Sequence, residues 1–392
     1  MKRLSNIWGI ALAAALLSAC AGGGELPPTA FPGLIVDGPS AYLTSNLHAY
    51  KFDAASGAEA WRFPKAGETA TAETPLPGPF AGDPEPVGNV IVVGQSTAHA
   101  SGGQIINGLL FGIGEADGLE KWRFTKAGRE YVDGVTTDGK LIYAPNGDHK
   151  LYALDPSQLE GGQPKILWQF ETGNKLWGKP LLADGVLYQP SLDHRLYAID
   201  AQSGKASWAQ PFQASASIAA TPLLTNGVLY FGSFDSKFYA VNARDGSKKW
   251  ETPVEGWIWS EALIVGDTIY VGNVNGKFFA LALGNGAVKW TADVGDTIRA
   301  KPVLQGNKLY VVSMNTHVYE FDISAPPSDG KMDTSKPFND KLGRRMLSTP
   351  TIVNGQLYVP LFDGDIKVAG VSLKSKEKAF QFPPPAPATA TP

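Results

Sequence analysis

Residues 240–250, AVNARDGSKKW, set Asn242, Gly246 and Trp250 four positions apart behind a short apolar run. The same spacing recurs at Asp53/Gly57/Trp61, Gly114/Gly118/Trp122, Asp200/Gly204/Trp208 and Ala282/Gly286/Trp290. A stretched copy runs from Asp155 to Trp168, with LEGGQP inserted. Two further copies have drifted: Val318–Asp322 has no Trp after it, and Val368–Phe380 carries Lys376 and Phe380 where the others have Gly and Trp. A second signature precedes each copy, as in TPLLTNGVLYFG from Thr221, KPLLADGVLYQP from Lys179, EALIVGDTIYVG from Glu261, KPVLQGNKLYVV from Lys301 and TPTIVNGQLYVP from Thr349. Weaker versions begin near Gly33, Val87 and Gly134. Together the two signatures count eight units at spacings of roughly 40 to 60 residues, a period that belongs to repeat folds.

Within a unit the apolar runs alternate, are β-branched or aromatic, and are punctuated by Asn-Gly, Asp-Gly or Gly-Asn, which predicts four short strands joined by hairpins. In the fifth unit these are PLLT, VLYFGS, KFYAVN and KKWETPV. One such sheet cannot bury both faces by itself. Eight arranged radially bury each other, so the expectation is an all-β, eight-bladed β-propeller of four-stranded antiparallel blades over residues 31–382. Trp61, Trp122, Trp168, Trp208, Trp250 and Trp290 are then wedges between blades, and the Gly four residues before all but Trp168 suits a left-handed turn that lets an indole come close.

The motif, here AIDAQSGKASW from Ala198 and AVNARDGSKKW from Ala240, is similar to the repeat of the pyrroloquinoline-quinone (PQQ) propeller superfamily. Within that superfamily, a short, eight-bladed chain with a lipoprotein-like start looks most like the BamB-type lipoproteins of outer-membrane β-barrel assembly. The resemblance implies a non-enzymatic, protein-binding scaffold of the cell envelope. It also brings an alternative, a PQQ-dependent dehydrogenase-like redox protein. Such enzymes hold calcium with Glu, Asn and Asp, use a catalytic Asp, and often carry a disulfide of adjacent cysteines. With a single cysteine in the chain, neither that disulfide nor a CxxCH haem site can form. No Glu/Asn/Asp set can be matched to the calcium ligands, so no catalytic, cofactor or metal residue is assigned, and neither PQQ nor calcium is expected. A third reading is a carbohydrate- or ligand-binding surface lipoprotein.

Outside the repeat, Met1–Ala19 reads as an export signal: Lys2 and Arg3, then an apolar run from Ile7 to Leu17 that is too short to span a bilayer. It ends in Leu17-Ser18-Ala19-Cys20, which resembles the lipobox of bacterial lipoproteins, and Cys20 is the only cysteine. That resemblance implies acylation of Cys20 and attachment to a bacterial membrane lipid, at the periplasmic face of the outer membrane or at the cell surface. Residues 20–30 then form a linker, and the Pro/Ala/Thr-rich residues 383–392 a tail. Three segments interrupt the repeat: Pro64–Pro86, read as an exposed loop, Ser96–Gly108, a Gly/Ser insertion inside the second blade, and Ser324–Arg345, a loop between the last two blades with a basic end at Arg344-Arg345.

The chain has 392 residues with 44 Gly, 29 Pro and 10% aromatics, too aromatic for a disordered protein and too rich in turn formers for a helical bundle. Its net charge of −3 and the lack of a basic block give no electrostatic footprint for nucleic acid. A monomeric propeller with an envelope protein as partner is expected. His149 and His194 fall in equivalent turns, His48 and His317 stand at neighbouring positions of the pattern, and His99 lies in an insertion, so they read as turn residues rather than a ligand cluster. Asp235, Asp363 and Asp365 read as Asx-turn residues. Aligning the units on Pro180, Pro222, Ala262, Pro302 and Pro350 and stepping back three gives Trp177, Ala219, Trp259, Arg299 and Leu347, with Tyr131 at the matching place in the third unit. Tyr131, Trp177, Trp259 and Arg299, with Arg345 beside them, are therefore expected to ring one mouth of the central channel, with the composition of an interaction hot spot.

Overall fold

The structure, a computed structural model, describes residues 31–65, 78–96, 98–99, 105–106, 108–339 and 342–385. The expected signal, Cys20, the 20–30 linker, residues 66–77, the His99 side chain and most of the tail lie outside them; the end of the 64–86 segment is not a loop, because Phe80–Val87 forms the innermost strand of blade 2. Eight antiparallel sheets follow one another along the chain as blades 1 to 8. Blade 5 shows the pattern: Leu223–Thr225, Val228–Gly232, Lys237–Asn242 and Lys248–Pro253 lie side by side in sequence order, from the hub outward. Blade 2 keeps this order although Ala98–His99 and Ile105–Ile106 form a small extra pair between its second and third strands. Among the described residues no helix is long and apolar enough to cross a membrane.

The core is not one body but a set of interfaces. Each of eight hydrophobic clusters joins two neighbouring blades, and the cluster of Leu43, Phe52, Tyr358, Phe380 and Phe382 joins blade 8 to blade 1. Trp61, Trp168, Trp208 and Trp250 each lie against a glycine, and that glycine belongs to the following blade. A Cβ on Gly118 would stand 2.7 Å from the Trp61 ring, on Gly204 2.6 Å from Trp168, on Gly246 2.9 Å from Trp208, and on Gly286 2.6 Å from Trp250. These glycines have φ between 66° and 76°, so the turn and the close approach both exclude a side chain. Trp61, Trp168 and Trp208 also donate their indole N–H to the next blade, to the carbonyls of Glu115 (2.9 Å), Ala201 (3.0 Å) and Ala243 (2.9 Å). In the drifted eighth blade Phe380 takes the wedge place. It lies against Gly57 of blade 1 and closes the ring, supported by the Phe52–Phe382 stack at 4.2 Å.

Blade 7 has three strands, Val303–Gln305, Lys308–Val312 and Val318–Asp322, because the 324–345 segment leaves the repeat before the fourth. This segment is not simply a loop. Thr291, in the outer strand of blade 6, donates to the Gly330 carbonyl at 2.9 Å and accepts from the Met332 amide at 2.8 Å, so the segment first covers the neighbouring blade's edge. It then returns to pair Asn339 with Val318. Phe338 is buried there against Tyr310, with the Lys376 ammonium of blade 8 at 5.0 Å from its ring. Lys376 has φ 62° at the position of the receiving glycine, and its carbonyl accepts from the Asn339 side chain at 2.7 Å. Phe338 thus supplies the wedge that the sequence of blade 7 lacks.

Phe338→Ala should accordingly destabilise the protein by about 3–5 kcal/mol, as Trp208→Ala should, because each empties a filled interface. Urea denaturation of both variants measures this; a Phe338 cost near that of an ordinary surface change would mean that the segment only connects blades.

Candidate functional site

One face of the disc is built from the connectors between blades and the turns between second and third strands. Hydrogen bonds tie the two together, as from Leu192 to Lys175, Phe234 to Ser217, Val274 to Trp257 and Phe362 to Arg345. On this face a repeated backbone bond sets the connector's register: Leu176, Ile218, Ile258 and Ile298 donate to Asn146, Ser191, Ser233 and Asn273. These apolar side chains go into the interfaces between blades, and the next residue of each connector, Trp177, Ala219, Trp259 or Arg299, is left at the hub.

Tyr131 does not join that ring. Its amide donates to Gln95, the bond that Ile258 makes to Ser233, and its side chain is 0% exposed in the cluster between blades 2 and 3. A Cβ on Gly94 would strike Tyr131 as one on Gly232 would strike Ile258. The third connector runs one residue out of step with the others, which moves Tyr131 from the hub into the core and leaves Val132, also buried, beside the hub.

Trp177, Trp259 and Arg299 meet; Arg345 does not join them. The rings of Trp177 and Trp259, two blades apart, stack at 5.5 Å and 10°. Phe31, just ahead of blade 1, stands edge-on to Trp259 at 5.8 Å, and the Arg299 guanidinium lies 3.8 Å from the Phe31 centroid and 4.9 Å from that of Trp259. These cation–π contacts bind a guanidinium that is mostly withdrawn from water. Arg299 also spans the hub to Asp133 on the opposite blade, at 3.5 Å. Trp177 and Phe31 are buried, so this part of the ring is a plug. Around it Trp257 stacks on Phe234 at 5.1 Å, Phe234 touches Trp259, and Phe362 touches Phe31, all of Trp257, Phe234 and Phe362 being half-exposed. Arg345 lies on the outside, exposed, over the Phe362 ring and paired to Asp363 at 3.1 Å. Phe31 precedes the repeat, while Phe234 and Phe362 hold one repeated turn position that Leu192, Val274 and Met314 fill in other blades.

Lys175 and the Trp177 indole both reach Glu130, at 2.8 and 3.3 Å. Burial pushes the Glu130 carboxyl up, but these hydrogen bonds outweigh it and hold it below its usual range. Below the plug a hub cavity of about 50 Å³ is lined by Asp83, Asp133, Lys179, Glu261, Arg299 and Lys301 among others. Its charges pair off: Lys301 with Glu261, Lys179 with Asp83 at 3.7 Å, Arg299 with Asp133. Burial raises the Asp133 carboxyl from 3.8 to about 6, with Arg299 and Lys179 opposing the rise and Asp83 and Glu261 adding to it.

The turns carry no comparable gathering. His149 and His194 sit in equivalent turns with φ 74° and 75°, the place that Ser236 and Thr316 hold in other blades. Asp235 is committed to its turn, accepting from the amides of Ser215 and Lys237 and from the Tyr239 hydroxyl at 2.6 Å. Among the described residues no group of three His, Cys, Asp or Glu side chains is placed to hold a metal ion.

The chain matches the family model described as outer membrane protein assembly factor BamB over residues 7–158 and 159–329. No curated protein matches it in sequence. Among solved structures, BamB from Moraxella catarrhalis is 16% identical, with 86% of this chain and 92% of that one covered at a TM-score of 0.64. The computationally designed Ika8 protein gives the same TM-score at 10% identity, covering 87% of this chain and 96% of that one. At such identities the two solved structures bear on the fold alone.

The Asp133 proton contributes stability that is complete below about pH 4 and lost as the pH passes about 6, because the folded state holds that proton more tightly than the unfolded one. Asp133→Asn, whose amide stands in for the protonated acid, should therefore raise Tm relative to the parent more at about pH 7.5 than at about pH 5. Thermal scans at the two pH values decide it; the same difference at both would show that Asp133 is ionised throughout.

Proposed function

The chain belongs to the family of the outer membrane assembly factor BamB, and we propose that it is a non-enzymatic, protein-binding scaffold of the cell envelope, anchored by an acylated Cys20. Its partner would be a component of the machinery that inserts outer-membrane β-barrels, met through the aromatic rim around the hub. The observation that carries this reading is a filled aromatic hub face in which Trp177 and Phe31 are buried while Trp259, Trp257, Phe234 and Phe362 stay partly exposed. Trp177, Trp259, Phe31 and Arg299 fill the place where a propeller enzyme would need an open centre. Small-molecule sites usually offer about 300 Å³ or more, whereas the hub leaves about 50 Å³. The residues present do not fit a tricyclic quinone, and the hub carboxylates Asp83, Asp133 and Glu261 each face a Lys or Arg rather than an open cation position.

The border has what a contact surface needs. Trp257, Phe234 and Phe362 offer rigid aromatic area at low entropic cost, Arg345 offers a charge on the rim, and the plug beneath holds them in place. Acylation of Cys20 supplies the membrane attachment, since two or more acyl chains hold a protein durably where one is marginal.

Trp257→Ala should weaken capture of the partner about tenfold or more while leaving Tm nearly unchanged, as expected for a half-exposed hot-spot residue. A photo-crosslinker placed at Trp257 in intact cells should trap an outer-membrane assembly component, and one at exposed Gln202 on the opposite face should not. Equal trapping from both positions, or a visible-band shift on adding PQQ and calcium, would contradict the reading; binding on a glycan array would favour the ligand-binding alternative.

A further inference from the structure

The chain enters the propeller at the centre of the disc rather than at its rim. Phe31, the first residue the structure describes, is 3% exposed and is held by Trp259, Arg299 and Phe362. The Pro32 carbonyl accepts the Ser348 hydroxyl, and the amide of Gly82 donates to the Phe31 carbonyl at 3.1 Å. The point at which the preceding residues leave the domain is therefore fixed at the hub, on the face that carries Trp257, Phe234, Phe362 and Arg345. Cys20 stands eleven residues earlier. Fully extended, that length reaches at most about 40 Å.

This length bounds how an anchored propeller can stand. For the opposite face to look at the bilayer, the linker would have to cross the four strands of a blade, spaced about 4.8 Å apart, and then descend a strand of about five residues at about 3.3 Å each. That path takes up nearly the whole reach before the chain clears the disc. With the hub face toward the bilayer, the same residues need only bridge the gap.

We propose that the hub face is the membrane-facing side of this propeller, and that its aromatic rim is presented to a membrane-embedded protein rather than to one diffusing in the aqueous compartment. The inference rests on the acylation of Cys20 put forward above. The opposite face, formed by the turns that join first to second and third to fourth strands, is turned away from the lipid. These turns are tied to each other by the bonds from Ala201 to Gly185, Ala243 to Gly227 and Leu283 to Asp267.

Because Cys20 is the only cysteine, a second one can be labelled cleanly once the first is acylated. Ser215→Cys places a donor dye on the hub face and Gln202→Cys on the opposite face, both exposed and both associated with blade 4. The full-length lipidated proteins are reconstituted in phosphatidylethanolamine–phosphatidylglycerol vesicles that carry an acceptor lipid. Energy transfer from position 215 should exceed that from position 202 several-fold. Equal transfer, or more from 202, overturns the orientation while leaving the anchor standing. A Cys20→Ser version of each labelled protein separates the two claims: it should lose transfer at both positions, and if it stays on the vesicles as the parent does, the anchor itself fails and the orientation with it.

Discussion

Everything in this molecule depends on an aromatic ring from one blade being seated on the turn of the next. A four-stranded sheet of this size has two apolar faces and no independent means of covering them. The indole of Trp208 covers part of one face, and the left-handed Gly246 admits it because there is no Cβ in the way. Its N–H finds the Ala243 carbonyl, so the polar end of the ring is satisfied as its body is buried. Repetition then makes each blade the support of its neighbour. The ring closes by the same contact, with Phe380 against Gly57, and by hydrogen bonds such as Tyr358 to the Ala54 carbonyl, without a strand borrowed from the other end of the chain.

That way of closing shapes what the hub can do. The connectors that lead into the innermost strands bring large side chains to the centre from several blades at once. Arg299 reaches a partner across the ring and Trp177 one two blades away, so the plug is held together by contacts between residues far apart in the chain. Such a centre has little room for a substrate. It has instead a rigid base for the aromatic border around it, which is the sort of surface on which binding energy concentrates.

The sequence made the blades legible because the wedge motif repeats both spacing and residue type. Its limits have physical causes. No spacing marks Phe338 as a wedge, because the fifteen residues Ile323–Pro337, part of which pairs with blade 6, separate it from Val318–Asp322. Tyr131 was expected at the hub because alignment by proline position ignores a one-residue shift in the connector, and a shift of one changes which side chain faces the core. Trp177, Trp259 and Arg299 lie together, since equivalent positions on different blades converge on the axis. Phe31 precedes the repeat, and the turn position of Phe234 and Phe362 is Leu192, Val274 or Met314 in other blades, so residue type along the chain does not mark it as part of the hub. The receiving glycines were recognised as left-handed turns, but which blade's indole they admit is a fact of three dimensions.

If wedge-on-glycine contacts close the ring, removing the last of them should loosen the seam and not the whole. Native-state hydrogen exchange on Phe380→Ala measures this most directly. Faster exchange confined to the amides of blades 1 and 8, with blades 4 and 5 protected as in the parent, is the predicted result. Uniform acceleration around the ring, or no change at the seam, would contradict it.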